Sequence, residues 1–72
     1  MKMALNERIA IRLRELRKEK NLNQIEVAQI LNIDKSTIAK YETGAAVPSL
    51  NMLVVLAEFY KVSADYILGL VD

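Results

Sequence analysis

The sequence predicts an all-α fold, a compact bundle of five helices, and three observations lead there. Apolar residues recur at helical spacing, first as Ile9, Leu13 and Leu16 at i, i+4 and i+7. Short polar residues suited to capping precede the later apolar-periodic stretches, at Asn23, Asp34, Ser49 and Ser63. No segment alternates apolar and polar residues as a half-buried strand would, and one Pro and two Gly leave few interruptions.

Taken in order, residues 1–5 read as a frayed leader, 6–68 as the core of a single domain and 69–72 as a tail. The first helix spans about Asn6 to Lys20, with Arg17 beside its core stripe. Asn21 stands where a Gly more often ends a helix, and it tolerates the left-handed conformation that closes one. Leu22 then plugs the core. Asn23 caps a second helix, Gln24 to Leu31, and Asp34 caps a third, Lys35 to Thr43, which stops at Gly44. Residues 45–48 form a loop. Ser49 caps a fourth helix, Leu50 to Tyr60, whose expected inward face is Leu50, Leu53, Leu56, Ala57 and Tyr60. Ser63 caps a last short helix, Ala64 to Leu68, in which Tyr66, Ile67 and Leu68 close the bundle before Gly69.

The stretch from Gln24 to Glu42 meets several independent demands at once. Two short helices that cross steeply through a turn of about three or four residues bring their backbones together at one point. Ala28 is small enough for that point, and Asn32 supplies the positive φ that the turn requires. Ile38 gives the second helix an inward anchor while its other face stays free. This is the helix-turn-helix pattern.

With LRELRKEKNLNQIEVAQIL, STIAKYETG, PSL and KVSADYIL in view, the chain resembles the lambda-repressor-like helix-turn-helix family, also called the Cro or XRE type, from about Asn6 to Leu68. The resemblance implies a five-helix DNA-binding domain, usually dimeric, of the kind found in transcriptional regulators. It also implies that Arg17 and Glu42 pair and tie the first helix to the third; the alternative for Arg17 is a phosphate contact. In one respect the chain departs from the family, carrying Ala45 and Ala46 where Lys or Arg often follows the third helix.

Composition narrows the function further. The 72 residues hold one small core, which buries only about 60% of the surface its unfolded chain would expose. There is no Cys to indicate an oxidising compartment, no apolar run of about 18 residues to span a membrane, and no apolar signal-peptide core in residues 1–10. A reducing cytoplasm, with association to the nucleoid when bound to DNA, is the expected location. Net charge is only +1, but residues 1–43 hold nine Lys or Arg against six Asp or Glu, while residues 44–72 hold one against three. The basic half is the half with the helix-turn-helix. Without His or Cys, the commonest catalytic bases, nucleophiles and metal ligands are missing, so neither an enzyme nor a cofactor or metal site is expected.

The expected site follows from the geometry of a helix entering the major groove at its N-terminal end. Lys35, Ser36, Thr37 and Lys40 lie on the free face of the third helix as donors for base edges. Gln24 begins the second helix, where free backbone N–H groups favour an anion such as a phosphate. Asn23 either joins it or serves only as the cap. Thr43 and Gly44 are placed to clamp a second phosphate. Met52, Val55 and Phe59, with Leu70 and Val71 of the tail, form a second apolar surface suited to a homodimer on a palindrome, or else Phe59 simply fills the core. Ile11 and Ile25 are expected at the surface. The competing reading is a protein-interaction module of the same fold, antitoxin-like or anti-repressor-like, binding a protein partner instead of duplex DNA.

Overall fold

The computed structural model describes residues 3–72. Over them five helices follow one another without a strand: α1 Leu5–Glu19, α2 Gln24–Leu31, α3 Lys35–Thr43, α4 Leu50–Tyr60 and α5 Ala64–Ile67. Residues 1 and 2 of the expected leader lie outside the described residues. Ala4 already serves as the N-cap of α1, its N–H donating to Glu7 Oε1 at 2.8 Å.

Four of the five helix ends follow one device. Asn21, Asn32 and Lys61 take φ near +57°, and Gly69 takes +75°. Each is followed by an apolar residue whose N–H reaches five residues back: Leu22 to the Arg17 carbonyl, Ile33 to Ala28, Val62 to Ala57 and Leu70 to Asp65. These bonds satisfy carbonyls that the helix would otherwise leave unpaired, while Leu22, Ile33 and Val62 drop onto the core. Asn accepts the left-handed conformation at little cost. Lys61 carries a Cβ penalty of about 1 kcal/mol, which the other contacts offset.

Three of the four expected side-chain caps form. Asn23 accepts from the Glu26 N–H while Glu26 accepts from the Asn23 N–H, and Ser49 and Ser63 accept from Met52 and Tyr66. Asp34 corrects its expectation: it has the extended N-cap backbone, but its carboxylate makes no capping bond. Its carbonyl nevertheless accepts from the Thr37 N–H.

Two clusters make the core. The larger gathers Ile9, Leu13 and Leu16 of α1 with Tyr41 of α3, Leu53, Leu56, Ala57 and Tyr60 of α4, and Ile67 of α5. The smaller, Val27, Ala28 and Ile38, fills the crossing of α2 and α3. Leu31 and Phe59 pack against both, so Phe59 belongs largely to the core rather than to an outer apolar surface. Leu50 departs in the opposite sense, being 82% exposed. Steps of about 100° per residue put it roughly 70° from the centre of the α4 core stripe. As the first residue of the helix, it has no neighbour to cover it. Ile11 is half-buried rather than exposed, because it lines an open groove with Met3, Arg8, Arg12 and Gly69.

Candidate nucleic-acid interface

The position of α3 is set from α1. Asn6 Nδ2 donates to the Gly44 carbonyl at 2.8 Å, and Arg14 Nη1 donates to the Glu42 carbonyl at 3.0 Å. Arg17 Nε donates to Glu42 Oε2 at 2.8 Å and to Oε1 at 3.0 Å, while its Nη1 holds the Leu22 carbonyl at 3.0 Å. Three side chains of α1 therefore grip the C-terminal turn of α3, where free carbonyls favour cationic donors. Ile38 anchors the middle of α3 on α2. The N-terminal turn is left to project into solvent.

On that turn Lys35 and Ser36 are exposed and Thr37 is half-buried, and Lys40, in the last turn of α3, is exposed as well. Three of the four expected base-facing residues thus share a free surface, and Thr37 stands at its margin. At the start of α2, Asn23 is engaged in its reciprocal cap with Glu26. Gln24 has a partner of its own, since its Nε2 donates to Glu42 Oε1 at 3.2 Å. Thr43 Oγ1 donates to the Lys40 carbonyl at 3.3 Å, and the Gly44 carbonyl is held by Asn6. Of the intended clamp at the far end of α3, the hydroxyl proton and the carbonyl are thus already committed within the chain.

Glu42 is the electrostatic centre of this arrangement. It is 2% exposed, against 13% for the Arg17 side chain, and the donors of Arg17 and Gln24 stand in for the water that burial removes. The hydrogen bond to Glu42 raises the Arg17 pKa above its ordinary value, with desolvation opposing the shift and the carboxylate charge reinforcing it. Tyr60 packs into the same region from α4. Its hydroxyl is pushed up to about 12, first by burial and then by the Glu42 charge. Among the described residues no buried side-chain nitrogen or oxygen lacks a partner.

Sequence reasoning missed Asn6 and Arg14. Their signal was present, because positions 6, 10, 14 and 17 recur on one helical face. It also missed how the other arginines are used. Arg8 donates to the Leu68 and Met3 carbonyls, and Arg12 donates to the Tyr66 carbonyl with its guanidinium 4.2 Å above the Tyr66 ring. All four arginines are thus bound within the fold, and among the described residues the exposed cations of the N-terminal half are Lys18, Lys20, Lys35 and Lys40. No group of His, Cys, Asp or Glu among the described residues is placed to hold a metal, and none of the described helices is long and apolar enough to cross a membrane.

Fold and site together define a helix-turn-helix unit with α3 as its outward helix. A family model described as Helix-turn-helix matches residues 13–67, and the chain belongs to that family, in its lambda-repressor-like, Cro/XRE-type branch. The chain is 48% identical over 61 residues to the uncharacterized HTH-type transcriptional regulator YobD of Bacillus subtilis (strain 168), covering 85% of this chain and 54% of that protein. It is 47% identical over 58 residues to the HTH-type transcriptional regulator AnsR of the same organism, covering 81% and 50%. It is 43% identical over 51 residues to the cryptic phage CTXphi transcriptional repressor RstR of Vibrio cholerae, covering 71% and 46%. The chain spans about half the length of the curated relatives it matches.

Proposed function

We propose that this chain is a single DNA-binding domain of a sequence-specific transcriptional regulator, acting as a homodimer on a palindromic operator, most simply as a repressor. One observation carries the reading: α3 is gripped at its C-terminal turn by Asn6, Arg14 and Arg17, while Lys35 and Ser36 at the other end, and Lys40 one turn on, stand free. A helix held this way can enter a major groove without losing its seat on the core. Gln24, beside the start of α2, takes a phosphate and fixes register. Thr37, Asn23, Thr43 and Gly44 are assigned secondary contacts, since each is partly covered or already bonded, whereas Gln24, though bonded to Glu42, keeps a second amide proton to donate. The relatives named as regulators, and RstR as a repressor, support the same reading.

For the two-fold contact, the exposed apolar residues of α4 and the tail are the economical choice: Leu50, Val54, Val55, Leu70 and Val71. Met52 and Phe59 contribute only edges to that surface, because both pack against the core.

Selection of bound duplexes from a random pool tests the proposal. The expected product is a palindrome with half-sites about one helical turn, roughly 34–36 Å, apart. Ser36→Ala should relax preference at one base position by about 1–3 kcal/mol, whereas Gln24→Ala should weaken all duplexes alike. With Ala45 and Ala46 in place of loop cations, the decline in affinity with salt should be shallow for the class. A chain with no duplex preference at low salt that captures a protein partner would establish the protein-interaction reading instead.

A further inference from the structure

The bond from Gln24 to Glu42 has a consequence beyond holding the fold. A carboxylate only accepts hydrogen bonds, so Gln24 must turn its Nε2, not its Oε1, toward Glu42. One of the two amide protons is spent there. The second lies in the same plane, makes no other hydrogen bond among the described residues, and belongs to a side chain that is only half-buried. A Gln without this partner could present either its carbonyl or its amino group at the start of α2, and only the amino group suits a phosphate oxygen. Glu42 can hold the amide in this sense because Arg17 balances its charge and fixes both its oxygens, Oε2 at 2.8 Å and Oε1 at 3.0 Å.

We propose that Glu42 is a positioning residue for DNA binding: besides tying α3 to α1, it sets the orientation in which the Gln24 amide meets a backbone phosphate. This rests on the reading of Gln24 as a phosphate contact. It places the ion pair of the interior two hydrogen bonds from the nucleic acid, with Gln24 between them, and it makes binding depend on a residue that is itself 2% exposed.

A mutant cycle on the selected duplex tests it. Replacing the buried pair by apolar residues, Arg17→Met with Glu42→Leu, removes the orienting carboxylate without stranding a charge, and a thermal melt verifies the fold. Gln24→Ala alone should weaken binding on the order of tenfold, as loss of a charge-assisted hydrogen bond does. The double substitution of the ion pair should cost a similar factor although Gln24 is intact, and adding Gln24→Ala to it should cost little more. Equal tenfold losses from Gln24→Ala in both backgrounds would overturn the positioning role while leaving the phosphate contact standing. No loss from Gln24→Ala in the parent would overturn the phosphate contact and the inference with it. Should the double substitution not fold, the parent chain decides by NMR. On duplex binding only one of the two Gln24 side-chain amide protons should shift strongly, and equal movement of both would refute a fixed amide.

Discussion

The helices α3 and α4 are both short and both seated on the same core, yet they offer faces of opposite character to solvent. The outward residues of α3 are Lys35, Ser36 and Lys40, whereas those of α4 include Leu50, Val54 and Val55. Their anchoring differs as well. Side chains from α1 bind the end of α3 through its carbonyls and the Glu42 carboxylate, while α4 is held by the apolar stripe Leu53, Leu56, Ala57 and Tyr60. Directional polar bonds fix the pose of a helix that must meet a patterned surface. Nondirectional burial suffices for a helix whose free face is apolar and suited to a second copy.

The contrast breaks most sharply at Arg17. Arg17→Ala strands the buried Glu42 and should cost about 3–5 kcal/mol, lowering the melting temperature by more than about 10 °C. A melt equal to the parent's would show that the polar grip on α3 is dispensable. On the α4 side, Leu50→Asp with Val54→Asp should weaken self-association at least about tenfold in sedimentation equilibrium, while stability stays within about 0.5 kcal/mol because both side chains are exposed. Unchanged association would rule this face out as the proposed two-fold contact.

Smaller effects sharpen the picture at the helix starts. Asn23→Ala removes a formed cap on α2 and should cost about 1 kcal/mol in chemical denaturation, whereas Asp34→Ala removes no such bond and should cost less than about 0.5 kcal/mol. Equal losses would imply that Asp34 acts through the helix dipole alone. An effect confined to alkaline pH lies where the two helices meet. The folded-state pKa of Tyr60 is raised to about 12 from the ordinary 10, so the unfolded chain releases this proton first as pH rises. The contribution is complete below about pH 10 and is lost between about pH 10 and about pH 12. Tyr60→Phe should flatten the fall in melting temperature across that window, and an unaltered slope would place the alkaline loss elsewhere.

Much of this architecture was legible residue by residue. Apolar periodicity located the helices, Asn21 and Asn32 announced left-handed ends, and Asn23, Ser49 and Ser63 announced starts, because each of these signals is a local steric or hydrogen-bonding preference. The exposure of Ser36 and Lys40 was legible for the same reason, both being polar positions opposite the Ile38 anchor, and that of Lys35 followed from its place at the start of the helix. Lys61 was not, since nothing about a lysine advertises positive φ. Leu50 was misread because periodicity describes the angle around a helix and not whether a neighbour reaches its end.

The sequence by itself determined the helices, their caps and the class of fold, since those depend on contacts a few residues apart. Only the tertiary structure decided how the polar residues were spent. It committed all four arginines to partners within the chain, gave Asn6 and Arg14 the end of α3, and joined Gln24 to Glu42 across 18 positions. The physical reason is that a long flexible donor takes whichever carbonyl or carboxylate packing brings within about 3 Å, and no local pattern encodes that distance.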